Sequence, residues 1–286
     1  MSGAAGTGHV FPEGTADCHV HIYGPFDKYP EVPISEYKSP DAPVERLLAL
    51  WDGLGIARGV IVHARSAGRD GQVTLDALKA HPDRLRGVAV FEDEVTDARL
   101  DEMTEAGFRG VRINMMQLDG KRLYQGGMGL EDLARLAPRL AERGWHAQIW
   151  AESGDIVALA PELMRLPLDF VIDHQGRTPA TRGVGYAGFQ AMLDLLKTGR
   201  WWCKISGSDR NTALGPPYAD SAAFMAALVE TAPERLVWGT DWPHVGHSDE
   251  TRPEMADLVA RLFETVSDPE IRRRILVENP RTLYGF

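Results

Sequence analysis

Two histidines, His19 and His21, stand two residues apart in the first apolar run of this 286-residue chain, Thr15-Ala16-Asp17-Cys18-His19-Val20-His21-Ile22. Side chains on a strand alternate sides with period two, so both imidazoles face one way. At a strand end such a pair can grip a divalent metal or a substrate carboxylate. A half-buried strand with two solvent-facing histidines accounts for the pair equally well when it is taken alone.

Other groups capable of chemistry follow. Asp241, in Thr240-Asp241-Trp242-Pro243-His244, can take a proton from water as a general base if it is held near the histidines or a metal. Its plainer reading is a helix N-cap, but His244 and the Trp/Pro rim suit a pocket. His174 follows Val171-Ile172-Asp173, as a pocket residue or as a histidine bonded to backbone. Arg112 lies between Val111 and Ile113, and a buried guanidinium needs an anion from protein or substrate. Arg210 follows Ser208-Asp209, and Arg122 follows Lys121. Planar guanidinium donors suit carboxylates, although Lys121 and Arg122 read equally as a solvated charge pair. His63 is open between pocket and structure. His146 begins its run and belongs to the structural end, while His9, His81 and His247 read as surface or loop residues.

The elements that position these groups show as short β-branched runs alternating with amphipathic stretches. Eight strands are expected: Ala16–Ile22, Gly59–Ala64, Arg86–Phe91, Gly110–Asn114, His146–Ala151, Asp169–Asp173, Trp202–Ser206 and Leu236–Gly239. Helical periodicity fills the intervals. In Pro43 to Leu54, for instance, Val44, Leu47, Leu48 and Trp51 recur at helical spacing. Strand followed by helix eight times in this length fits a single-domain α/β (β/α)8 TIM barrel spanning 1–286. Residues 1–14 are expected to be a flexible N-terminal segment, and Gly24 to Pro40 a long loop over the mouth. An open doubly wound sheet has the same alternation, but no G-x-G-x-x-G turn follows the first strand, which argues against dinucleotide binding. Barrel enzymes carry their catalytic groups at the C-terminal strand ends, and ionisable groups recur at that end of six of these strands.

Composition narrows the class. Hydrophobic residues make up 44% and charged residues 25%, as in a soluble globular protein. The 31 basic against 41 acidic residues give a net charge of −10, which argues against nucleic acid or an anionic membrane as partner. A few buried arginines can still reverse the field inside a pocket. Two cysteines build no disulfide framework. No signal segment or membrane span is evident, so a cytoplasmic location is expected, with homo-oligomerisation open.

Together these residues resemble the amidohydrolase superfamily, in particular its amidohydrolase-2 branch of 2-pyrone-4,6-dicarboxylate hydrolase-like lactonases. The likeness rests on Asp17-x-His19-x-His21, Gly107-Phe108-Arg109-Gly110-Val111-Arg112-x-Asn114, Val171-Ile172-Asp173-His174-x-Gly176-Arg177, Trp202-x-Lys204-x-Ser206-Gly207, Trp238-Gly239-Thr240-Asp241-Trp242-Pro243-His244 and Asn279-Pro280-x-x-Leu283-Tyr284-Gly285-Phe286. It implies a barrel that opens a small anionic lactone. Asp241 then corresponds to the residue that activates water, and His19, His21 and His174, protonated or metal-bound, to those that polarise the carbonyl. Arg112, Arg210, Arg122 and Tyr37 fall where substrate carboxylates are gripped.

Metal-using relatives often end the fifth strand in a ligand. Trp150 stands there, and indole is no ligand, so the resemblance implies that no cofactor is required. The alternative is one divalent metal such as zinc on His19, His21, His174 and Asp241. Rival readings are a lactone isomerase or metal-dependent decarboxylase on the same barrel, or a catalytically inactive small-molecule binding barrel.

Overall fold

Among the described residues, runs rich in valine, isoleucine and aromatic residues form ten strands, eight of them in one parallel sheet. In the computed structural model, residues 8–32, 38–92, 94–118, 121–122 and 127–286 are described. The strands are β1 (Ala16–Val20), β2 (Arg58–Val62), β3 (Leu85–Ala89), β4 (Phe108–Asn114), β5 (Gln117–Leu118), β6 (Lys121–Arg122), β7 (His146–Trp150), β8 (Phe170–Ile172), β9 (Trp201–Lys204) and β10 (Leu236–Val237). The sheet runs β1-β2-β3-β4-β7-β8-β9-β10. β5 and β6 pair with each other as an antiparallel ribbon beyond β4, an element that the sequence pattern does not announce.

The sheet closes on itself. Beyond β10, Cys18 N donates to Trp238 O, Asp241 N to His19 O and His21 N to Trp242 O, each at 2.8 Å. This is a (β/α)8 barrel, and its last seam lies between the histidine pair and Asp241. Amphipathic helices link the strands. The first, Val44–Leu54, buries Leu47, Trp51 and Leu54 against the sheet. Part of the loop after β1 is described: Val32 N donates to Ser66 O, which ties that loop to the one after β2 on the C-terminal rim. Among the described residues no helix is long and apolar enough to cross a membrane.

One irregularity sets the site. The register between β1 and β2 runs Asp17↔Gly59 and then Val20↔Ile61, so β1 holds one residue more than its partner. Such a bulge breaks the alternation of sides. Before it, Ala16 and Cys18 pack in the small apolar cluster with Val60, Val62, Val88, Val237 and Tyr284. After it, His19 and His21 meet Asp241 while Val20 joins the main core. Asp17 points the other way, accepting from Trp51 Nε1 of the first helix at 3.1 Å and from Thr240 Oγ1 at 2.7 Å.

At the seam the two backbones approach closely. A Cβ on Gly239 would lie 2.5 Å from His19 N and 2.7 Å from His19 Cβ. Gly239→Ala is therefore expected to destabilise the fold by about 1–3 kcal/mol, the usual cost of overpacking. A urea midpoint equal to that of the parent protein would contradict this close approach.

Candidate active site

Three imidazoles converge on one carboxylate oxygen at the C-terminal mouth. Asp241 Oδ1 lies 3.5 Å from His21 Nε2, 3.7 Å from His19 Nε2 and 4.0 Å from His174 Nε2. His19 and His21 come from the end of β1, His174 from the turn after β8 and Asp241 from the chain beyond β10. All four are buried. Asp241 and His174 adopt left-handed backbone, with φ of 60° and 49°. Side chains with a Cβ rarely adopt this conformation, and such outliers gather where function over-determines geometry.

Second contacts orient the rings. His21 Nδ1 donates to Val62 O at 2.6 Å, which leaves Nε2 as the acceptor of the neutral ring. His174 Nδ1 lies 2.9 Å from Ser206 Oγ, and its backbone carbonyl accepts from Asn211 Nδ2 at 3.1 Å. His19 Nδ1 lies 3.1 Å from Lys204 Nζ and 3.4 Å from Asp173 Oδ1.

Below the histidines lies a buried polar layer. Lys204, fully buried at the end of β9, donates to Gln148 Oε1 at 2.7 Å and stands 3.5 Å from Asp173 Oδ1. Asp173 Oδ2 accepts from Arg112 Nε at 2.8 Å and from Gln148 Nε2 at 3.0 Å. The anion that Arg112 needs is thus supplied at its Nε by the protein. Its terminal nitrogens have no hydrogen-bond partner among the described residues, and its guanidinium lies 4.9 Å from the ring of Trp150.

Arg210 also has a protein carboxylate for partner. Its Nη2 lies 2.8 Å and its Nε 3.0 Å from Asp241 Oδ2, and Nε is 3.3 Å from Asp209 Oδ2. Asp209 in turn pairs with His247 at 2.9 Å, so His247 is part of a buried network and not a bare loop residue. His244 is buried beside these groups, its backbone N–H donating to Asp241 O at 2.8 Å. His63 engages both ring nitrogens, with Gly68 O at 2.6 Å and Thr74 Oγ1 at 3.0 Å, which is a structural arrangement. His146 sits at the opposite end, its ring edge-on to Tyr284. Of Arg122 only the backbone is described, in the β5–β6 ribbon, and Tyr37 lies outside the described residues.

Sequence reasoning counts Asp173 and Lys204 among the ionisable groups at the strand ends but gives them no role in the site, and it misses Gln148. The available signal was a lysine within Trp201-Trp202-Cys203-Lys204-Ile205, where a charge in an apolar strand must face a polar interior.

Burial governs the protonation states. It holds His174 and His244 down to about 4 and His146 to about 3. His19 lies well below the usual range through burial and the Lys204 charge, and burial lowers His63. Burial therefore favours the neutral form of His19 and His174. Burial raises the Asp241 carboxyl, but Arg210 and the histidines outweigh it and keep the group ionised.

These shifts carry a sign for stability. Each such histidine takes up its proton more readily unfolded than folded, so stability is complete above about pH 6.5 and is lost as pH falls towards 4. Asp17 opposes this: burial raises it to about 6, so its contribution grows as pH falls through that window. Five histidines outweigh one aspartate. The urea midpoint is expected to drop clearly between pH 7 and pH 5, and an unchanged midpoint would mean that the histidines are not held neutral.

The donor set is compatible with one metal ion. His19, His21 and Asp241 offer ligand atoms within 4.8 Å of one another, and His19 Nε2 is buried with no hydrogen-bond partner among the described residues. His19, Asp173 and His174 form a second such group. There, however, Arg112 and Lys204 already flank the carboxylate.

Comparisons with known proteins agree with this architecture. The amidohydrolase family model matches residues 16–286. The chain is 37% identical over 277 residues to 4-sulfomuconolactone hydrolase of Hydrogenophaga intermedia, covering 96% of this chain and 90% of that protein. It is 35% identical over 282 residues to 2-pyrone-4,6-dicarboxylate hydrolase of Comamonas testosteroni, with coverage of 96% and 90%. It is 31% identical over 282 residues to D-galactarolactone isomerase of Agrobacterium fabrum, with coverage of 96% and 92%. A barrel with histidines at the ends of its first and sixth strands, an aspartate beyond the eighth and a family match across nearly its whole length, this chain belongs to the amidohydrolase family.

Proposed function

We propose that this enzyme, which acts on a cyclic ester, hydrolyses a lactone carrying an anionic group. The observation that carries the reading is the convergence of three imidazole Nε2 atoms on Asp241 Oδ1 at 3.5–4.0 Å, at the mouth of the barrel. These separations exceed a hydrogen bond, so the carboxylate and the rings do not saturate one another and can share an oxygen atom seated beside them. Arg112, with terminal nitrogens directed to no protein acceptor among the described residues, receives the substrate anion. His244, buried beside Asp241, joins the substrate set, and Arg122 and Tyr37 belong to it by family resemblance.

Asp241 takes a proton from the attacking water, and an imidazole N–H stabilises the oxygen that becomes negative. The ring carbon–oxygen bond then breaks and the ring oxygen departs as alkoxide or enolate. The product is an open-chain acid. No metal is required in this scheme. If one divalent ion such as zinc were bound, His19, His21, His174 and Asp241 would hold it, and it would supply Lewis-acid polarisation of the carbonyl.

Relatedness to a lactone isomerase favours a second reading, in which the ring is moved and not hydrolysed. Oxygen-18 water separates the two. Metal-stripped enzyme is offered 2-pyrone-4,6-dicarboxylate, 4-sulfomuconolactone, muconolactones and sugar-acid lactones. Acid release with one labelled oxygen per product supports the hydrolase. Conversion without label supports the isomerase. Silence towards all of them, with and without added zinc or manganese, overturns both.

A further inference from the structure

We propose that Lys204 decides whether the histidine–aspartate cluster takes a metal, by fixing the proton of His19 on Nε2. An ammonium group can only donate. With Lys204 Nζ 3.1 Å from His19 Nδ1, that nitrogen is the acceptor, and a neutral ring that accepts at Nδ1 carries its hydrogen at Nε2. The competing partner of Nδ1 is Asp173 Oδ1, more distant at 3.4 Å. Arg112 Nε and Gln148 Nε2 hold the other oxygen of Asp173, Oδ2, at 2.8 and 3.0 Å, and the Lys204 ammonium, 3.5 Å from Oδ1, is the nearest charge facing that oxygen.

Histidines that bind metals show the opposite arrangement. Their remote ring nitrogen donates to a carboxylate or carbonyl, which leaves the near nitrogen as ligand. His21 follows that rule, with Nδ1 donating to Val62 O at 2.6 Å. His19 inverts it. Its Nε2, 3.7 Å from Asp241 Oδ1 and without a hydrogen-bond partner among the described residues, then has an N–H to offer an oxygen atom seated beside the two. Under the lactonase reading, on which only this last assignment rests, that oxygen is the substrate carbonyl. Lys204 acts through His19 as a positioning residue, and its charge beneath the cluster also opposes a dication.

The test reads the proton and the metal directly. Full-length, metal-stripped protein labelled with nitrogen-15 histidine is measured by long-range proton–nitrogen correlation, with His19 assigned by its loss in His19→Gln. The expected result is the Nε2–H tautomer for His19 and the Nδ1–H tautomer for His21. Calorimetric titration with zinc is expected to show weak binding to the wild type and binding about 10- to 100-fold tighter to Lys204→Met, the range over which outer partners tune metal affinity. An Nδ1–H tautomer on His19 in the wild type overturns the proposal, as does unchanged zinc affinity in a folded variant. If Lys204→Met does not fold, Lys204→Gln serves for the titration, and the wild-type tautomer decides independently of either variant. Neither readout involves turnover, so inactivity towards every lactone would sink the hydrolase reading while leaving this result intact.

Discussion

Asp241→Asn is expected to lower kcat by about 10²–10⁴, the usual contribution of a general base, while KM changes by less than about tenfold, or roughly 1.4 kcal/mol of binding. Asparagine keeps the shape of the side chain and is among the residues that tolerate left-handed backbone, so φ of 60° is not an obstacle. What is lost is the anion facing three imidazoles and Arg210. Arg210 retains Asp209 at 3.3 Å, so the charge is not stranded and the fold should hold. Full Michaelis curves beside a thermal melt make the check. A variant within about fivefold of the parent kcat would remove Asp241 from the role of base.

Lys204→Met is expected to cost about 3–5 kcal/mol of unfolding free energy, because it strips one partner from a buried charge cluster. Asp173 is fully buried, and its Oδ1 makes no hydrogen bond among the described residues, relying on His19 at 3.4 Å and Lys204 at 3.5 Å. Without the ammonium, one carboxylate oxygen faces only a neutral ring, and Gln148 Oε1 loses a donor at 2.7 Å. Adding Asp173→Asn to this variant should recover part of the loss, since the stranded charge is then gone. Urea unfolding at pH 7 measures both. A single-variant loss below about 1 kcal/mol would show that the cluster is solvated or slack.

Much of this architecture is legible in the residue pattern alone. The eight barrel strands begin and end within two residues of where the apolar runs place them, because β-branched runs between amphipathic stretches have few other arrangements available. The groups at the strand ends follow from the same alternation. The sequence pattern did not show the β5–β6 ribbon, whose strands of two residues are too short for periodicity to register. His247 lies in a loop as expected, but its pairing with Asp209 across 38 positions leaves no local trace.

The sequence by itself determined that a barrel forms, and that His19, His21, His174 and Asp241 stand at the ends of its strands. Burial of apolar faces dictates that much, and burial is written in local pattern. The tertiary structure decided how those groups are used. A bulge in β1 turns both histidines inward although Cys18 already packs inside, which strict alternation forbids. Arg112 and Arg210 each have a protein carboxylate for partner. Lys204 comes to rest under His19 from 185 residues away. Charge pairing acts through space, at angstrom distances set by barrel closure, and chain order carries no record of which cation will meet which anion.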